Sequence, residues 1–171
     1  MDKKLDIATL GGGCYWCVEA IYENVHGVSS VLSGFSGNPK TEALNIEFDP
    51  TEITYTDILN IFFKIHDPTT LNRQGNDVGE KYRSVIFYRN NEQQLVAEKI
   101  LDKINTEGKY KGKVVTKVEA FEDFSPVRES EQHYFQKNQE NPYCQVVISP
   151  KVKKFKKQFK DKLKEPGIIG Q

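Results

Sequence analysis

Cys14 and Cys17 stand three positions apart in the stretch GGGCYWCVEA, behind three glycines and around the pair Tyr15 and Trp16. Thiols at this spacing serve three chemistries: a metal site, a dithiol redox couple, or a nucleophilic cysteine with a helper. Cys144 and His133 could join the pair around a metal, but the spacing matches no zinc pattern and the aromatic insert suits none, so no metal is expected.

The elements that must present these thiols are legible on either side. Residues 5–10 are an apolar run that reads as a buried strand. The glycines end it before an amphipathic helix over 15–24, with Val18, Ile21, Tyr22 and Val25 on one side. Cys14 then falls at or just before a helix N-terminus, where unpaired amides and the helix dipole favour a thiolate and glycines let a ligand approach. Cys17 shares that helical face, its alpha carbon about 5–6 Å away and within disulfide range. An inert buried cysteine has no use for three adjacent glycines, whereas Tyr15 and Trp16 read equally well as core aromatics.

A thioredoxin-like dithiol exchanger carries the same Cys-x-x-Cys at a strand-to-helix junction. Against it stand the bulky aromatic insert and the segment HDPTTLNRQGNDVGEKYRS, residues 66–84, which has no helical or strand period. Connections of that length are usually functional, and this one holds Asp67, Arg73, Asn76, Asp77 and Tyr82 between turn formers. Those groups suit the wall of a site for a small polar substrate.

Strands are expected over 28–35 and 43–48, the second alternating Leu44, Ile46 and Phe48 with Asn45 and Glu47. Thr54 and Asp57 form a capping box for a helix that ends at His66-Asp67-Pro68. A strand over 83–88, a helix over 91–105 with a stripe of Leu95, Val96, Ile100, Leu101 and Ile104, and a strand over 114–121 follow. A short helix near 128–138 and a last helix over 150–164 complete the chain. The pattern predicts an α+β two-layer sandwich, a mixed sheet with helices largely on one face, ferredoxin-like in style. One domain is expected over 1–171, its C-terminal helix docking through Val152, Phe155, Phe159 and Leu163.

Bulk composition excludes several partners. The 24 basic and 24 acidic residues cancel, so neither a nucleic-acid-coating surface nor disorder is suggested. No run is long enough to cross a membrane and the N-terminus makes no signal peptide, which reads as a cytoplasmic protein. Three cysteines in a reducing compartment point to reactive thiols rather than structural bridges. Eight lysines between Lys151 and Lys164 are read as the solvated face of the docking helix, not as a contact for DNA or lipid. No exposed heptad seam argues for more than a monomer.

The two motif stretches together resemble the A-type peptide methionine sulfoxide reductases. GGGCYWCVE is similar to that family's Gly-Cys-Phe-Trp segment, and residues 66–84 are similar to its other hallmark almost residue for residue. EALNIEFDP and NPYCQVVISPKVKKF extend the resemblance over about residues 7–155. It implies reduction of the S epimer of methionine sulfoxide, free or in proteins, with no cofactor and with thioredoxin as reductant. By position it makes Cys14 the nucleophile, Tyr15 and Trp16 the wall for the substrate methyl group, and Glu42 the acid at the sulfoxide oxygen. Asp77 and Tyr82 become further polar groups of the pocket, and Cys144 a resolving cysteine.

Two departures are plain. Between Gly37 and Glu42 the family carries a longer connection with a site tyrosine, where this chain has only Asn38-Pro39-Lys40-Thr41. The family's Tyr-His-Gln reads Ser130-Glu131-Gln132, so His133 is not the family histidine; it, His26 and His66 are expected to be structural.

The implied chemistry fits these residue types. A sulfoxide needs a soft nucleophile on sulfur and a proton for oxygen, which Cys14 and a Glu42 kept protonated by burial can supply. The resulting sulfenic acid condenses with a second thiol, and a dithiol reduces the disulfide. Cys17 is always adjacent, so Cys14–Cys17 is the expected first disulfide, with Cys144 relaying oxidation to the surface.

Overall fold

The apolar N-terminal run forms β1 (Asp6–Gly12), ending on the glycines. In the computed structural model, which describes residues 3–164, this strand has neighbours on both sides and its last five residues are buried. α1 (Tyr15–Tyr22), β2 (Val28–Ser36), β3 (Thr41–Phe48) and α2 (Tyr55–Ile65) follow. A small ribbon, β4 (Arg73–Gln74) and β5 (Asp77–Val78), leads to β6 (Ser84–Tyr88). The strands β6-β1-β3-β2 lie side by side, each antiparallel to its neighbours, which with α1 and α2 is the expected ferredoxin-like β-α-β-β-α-β unit.

The sheet is extended at both edges. After α3 (Asn91–Glu107), β7 (Lys117–Ala120) adds in parallel to β6, and β8 (Phe124–Pro126) adds to β2. β8 was not foreseen; its proline is tolerable because it lies on an edge strand. Strand alternation divides the apolar residues between two faces. Leu10, Leu44, Ile46 and Ile86 join Phe62 and the other helical residues in the main core, while Ala43, Val85 and Phe87 pack under Phe121 and Phe124 on the opposite face.

Local chemistry sets the element ends. Thr54 accepts from the Asp57 amide at 3.0 Å and Asp57 accepts from the Thr54 amide at 3.2 Å, closing the expected capping box on α2. His66 ends that helix, its Nδ1 against the Phe62 carbonyl and its Nε2 against Ser84, so it is structural as expected.

Several expectations are corrected. Residues 66–84 are not structureless: the β4–β5 ribbon and a 3₁₀ turn over Glu80–Tyr82 give them a fixed shape. Leu95 is 68% exposed, because α3 turns Gln93, Ala97 and Ile104 inward and Leu95 sits two positions from both of the first two. The helix over 128–138 is broken. Gln132 turns inward to bond both the amide and the carbonyl of Ser33, and His133 takes a left-handed φ of 55° before the short α4 (Tyr134–Lys137). The last helix, α5 (Ser149–Gln158), stops six residues early and is preceded by a π-helical stretch, Cys144–Ile148. Val152 and Phe155 are buried, and Leu163 bridges back to Val25.

Candidate active site

Three glycines precede Cys14 because the chain there threads between packed elements. A Cβ on Gly11 would lie 2.9 Å from Val85 and one on Gly12 2.9 Å from Phe62, while Gly13 takes a φ of 93° against Gln74. The glycines therefore bring β1 close to its neighbours, a packing role in place of the ligand approach expected from sequence. Cys14 caps α1 with no side-chain bond to the helix amides, and the Tyr15 amide instead donates to Glu42 Oε1 at 3.3 Å. The free helix end that was expected to favour a thiolate at Cys14 thus serves the carboxyl of Glu42.

A cavity of about 210 Å³ opens beside Cys14. Tyr15 and Trp16 line it from α1, Glu42 from β3, and Asp77 and Tyr82 from the 66–84 segment, so the fold gathers six of the eight side chains singled out by sequence. Lys81 and Tyr143 also line it and were missed. Lys81 was masked by its charge, which reads as an ordinary surface residue, and Tyr143 by its neighbour Cys144, which drew the attention in Asn141-Pro142-Tyr143-Cys144. The aromatic wall is braced from outside. Trp16 stacks on Tyr134 at 3.7 Å, Tyr143 meets it edge-on at 5.9 Å, and Phe35 meets Tyr15 edge-on at 5.7 Å.

Glu42 is 5% exposed, and burial pushes its carboxyl up to about 7. The Tyr15 amide and the Lys81 ammonium, 3.9 Å from Oε2, pull it down by less, and Asp77 adds to the rise. Its carboxyl is thus half protonated near neutrality. Burial also holds the Tyr15 phenol at about 12, so it stays a neutral donor.

The thiols form a proximity series. Cys14 and Cys17 act on one another first: their pairing raises the Cys14 thiol and lowers that of Cys17, and burial raises both. The Lys151 charge further favours a thiolate at Cys17. The two thiols titrate as a pair. Tyr143 lies against the thiol pair, where it favours the ionised form of each, and donates its hydroxyl to Asp77 Oδ2 at 3.0 Å. Burial and the sulfur charges keep that hydroxyl protonated. Cys144 is fully buried one residue on, and its thiol is raised by burial first and then by Cys17. All three cysteines are free.

His133 does not approach the thiols. Its Nδ1 bonds to Glu23, with Glu19 close by, in the one group of three potential metal ligands among the described residues. That group is already satisfied: Glu19 accepts from Ser33 and the Tyr134 amide, and Glu23 from Gln136 as well. It is a polar clamp between α1 and α4.

The short β2–β3 connection closes tightly, with Ser36 opposite Thr41. Asp123 holds it, accepting from Ser36 Oγ at its carbonyl and from Lys40 at 2.7 Å. No residue of the 37–41 turn lines the cavity; Tyr143 supplies an aromatic hydroxyl from the other side.

Comparison with known proteins agrees with this geometry. The family described as "Peptide methionine sulfoxide reductase" matches residues 6–41 and 38–163, two segments that meet at the short turn. A protein of Saccharolobus solfataricus named "Peptide methionine sulfoxide reductase MsrA" is 49% identical over 175 positions, covering 94% of this chain and 98% of the relative. That aligned length exceeds the part of a 171-residue chain it uses, so the relative carries residues this chain lacks. Reduced Mxr1 from Saccharomyces cerevisiae superposes with a TM-score of 0.76 at 26% identity, over 82% of this chain and 90% of its own. Mxr1 in complex with Trx2 gives 0.60 at 25% identity, over 77% and 85%. With a match spanning nearly the whole chain, and a thiol pair beside a protonatable carboxyl in an aromatic-walled cavity, the chain belongs to the peptide methionine sulfoxide reductase family.

Proposed function

We propose that this chain, as one catalytic domain of a cytoplasmic monomer, reduces the S epimer of methionine sulfoxide, free or in proteins, and is recycled by thioredoxin. The observation that carries this reading is Glu42: a carboxyl held near pH 7 in the same small cavity as a thiol pair and an aromatic wall. A sulfoxide oxygen needs such an acid in order to leave. The free thiols support a reducing compartment, and among the described residues no helix is long and apolar enough to cross a membrane. The capture of the relative Mxr1 with Trx2 supports thioredoxin as the reductant.

The roles follow from the geometry. Cys14 attacks the sulfoxide sulfur as its proton passes to Cys17, and Glu42 protonates the departing oxygen, which ends on Cys14 as a sulfenic acid while methionine leaves. Tyr82 donates to the oxygen as charge develops, and Asp77 orients Tyr143. The Cys17 thiol then attacks Cys14 sulfur, forming the Cys14–Cys17 disulfide and releasing water. Cys144, beside Cys17 but not among the groups acting on Cys14, takes the disulfide from it by exchange.

The methyl-binding wall, the acid and the nucleophile fix three directions about a pyramidal sulfur, so one epimer alone fits. Turnover of the separated epimers with dithiothreitol tests this: the S form should be consumed and the R form left. Consumption of neither, with insulin disulfides reduced instead, would return the chain to the thioredoxin-like reading.

The order of disulfides is tested separately. After oxidation with one equivalent of substrate, mass spectrometry should show Cys14–Cys17 first, and Cys17→Ser should accumulate sulfenic acid. If Cys14–Cys144 forms first in the unmodified protein, with Cys17→Ser fully competent under thioredoxin recycling, Cys17 is only a proton partner.

A further inference from the structure

A second charged concavity lies away from the one beside Cys14. A cavity of about 480 Å³ lies where the end of α2, the segment after α3 and the outer face of α5 meet, and four lysines border it: Lys64, Lys111, Lys151 and Lys154. Among the described residues none of these ammonium groups has a carboxylate within 4 Å. One carboxylate, Asp67, is in the wall, and it is turned to the Thr69 amide and hydroxyl. Three net positive charges therefore face one concavity in a chain whose total charge is zero.

The walls are built as well as charged. The Tyr110 hydroxyl donates to the Phe63 carbonyl, fixing its ring at the end of α2, and Phe155 is 2% exposed and stacked on Phe159 at 5.0 Å. Gln74 carries the wall inward: it is tied to both backbone groups of Asp67 and packs on Gly13, next to Cys14. Lysines act as point charges for phosphate, a cleft concentrates their field, and aromatic faces accept a flat ring. The volume is that of small-ligand sites.

We propose that this cavity binds a small phosphate-bearing anion of several charges, a nucleoside di- or triphosphate or an inorganic polyphosphate, with Lys64, Lys111, Lys151 and Lys154 on the phosphates and Tyr110 against any ring. The site lies outside the cavity of the reacting thiols, although Lys151 also acts on Cys17, and it does not depend on the catalytic reading. Calorimetric titration of the reduced full chain with ATP and with inorganic tripolyphosphate, each at matched ionic strength, tests it without any turnover. Saturable binding of one anion per chain is expected. Tighter binding of ATP assigns a nucleotide, and equal binding assigns the phosphates alone. The double substitution Lys64→Gln with Lys154→Gln should weaken binding by about tenfold or more, two lost charge contacts at roughly 0.7 kcal/mol each. Lys153→Gln with Lys157→Gln, exposed on the same helix but outside the cavity, should leave it unchanged; unaltered thermal melts confirm that both variants are folded. No saturation beyond the effect of salt, or equal weakening in both double variants, overturns the proposal.

Discussion

Cys14→Ser yields no methionine even in a single turnover without reductant, whereas the unmodified chain yields about one equivalent. No other group in the cavity is a soft nucleophile facing the substrate, and loss of a nucleophile costs on the order of 10⁴-fold or more. A hydroxyl cannot take its place, because it is far less ionised and less nucleophilic toward sulfur than a thiol. Cys17→Ser and Cys144→Ser keep the single-turnover yield; Cys144→Ser slows only the steps after the sulfenic acid, and Cys17→Ser, which removes the proton acceptor, also slows its formation. The measurement is quenched methionine release per chain. Release by Cys14→Ser would move the nucleophile to Cys17 and reverse the order of the thiols.

Glu42→Gln slows the chemical step by roughly 10²–10⁴-fold, the usual contribution of a general acid. The unmodified rate should also carry its pKa. The carboxyl must be protonated to act, so single-turnover reduction is lost as pH rises through about 7. In Glu42→Gln that alkaline limb disappears. Lys81→Gln moves the limb the other way: without a cation 3.9 Å from Oε2 the carboxyl holds its proton more tightly. Lys81 is half-exposed and screened, so the upward move is about 0.2–0.7 pH unit. Stability gives a second readout with a fixed sign. Folding raises this carboxyl from 4.5 to about 7, so the native state holds the extra proton and loses stability as pH climbs between those values. At pH 8 ionisation costs on the order of 3 kcal/mol, which Glu42→Gln avoids. Urea unfolding at pH 5 and pH 8 should show the variant gaining on the unmodified chain only at the higher pH. An unimpaired, pH-independent Glu42→Gln would show that the short β2–β3 turn has moved the acid role elsewhere.

The sequence by itself determined the sheet core, the position of Cys14 and most of its company. β1, β2, β3 and β6 are runs whose apolar content or alternation can only be satisfied in a sheet, and the capping box on α2 is a local bond between Thr54 and Asp57. Periodicity and caps act over a few residues and are therefore visible in a linear string. Two short motifs single out Cys14, Tyr15, Trp16, Cys17, Asp77 and Tyr82, the family resemblance adds Glu42 and Cys144, and six of these eight line the cavity.

Tertiary structure decided what depends on partners distant in the chain. On α3 the expected stripe holds for Val96, Ile100, Leu101 and Ile104 and fails at Leu95, which is exposed, while Gln93, polar in sequence, is buried to bond the Ile7 carbonyl. The break at His133 follows from Gln132 pairing with Ser33, a contact across 99 positions. The electrostatics of the site are of this kind throughout. The helix amide expected to serve Cys14 goes to Glu42, a residue 27 positions away from Tyr15, and the proton of Cys14 is governed by Cys17, burial and Tyr143 together. A pKa is set by desolvation and by charges through space, and neither quantity exists until the chain has folded around the group.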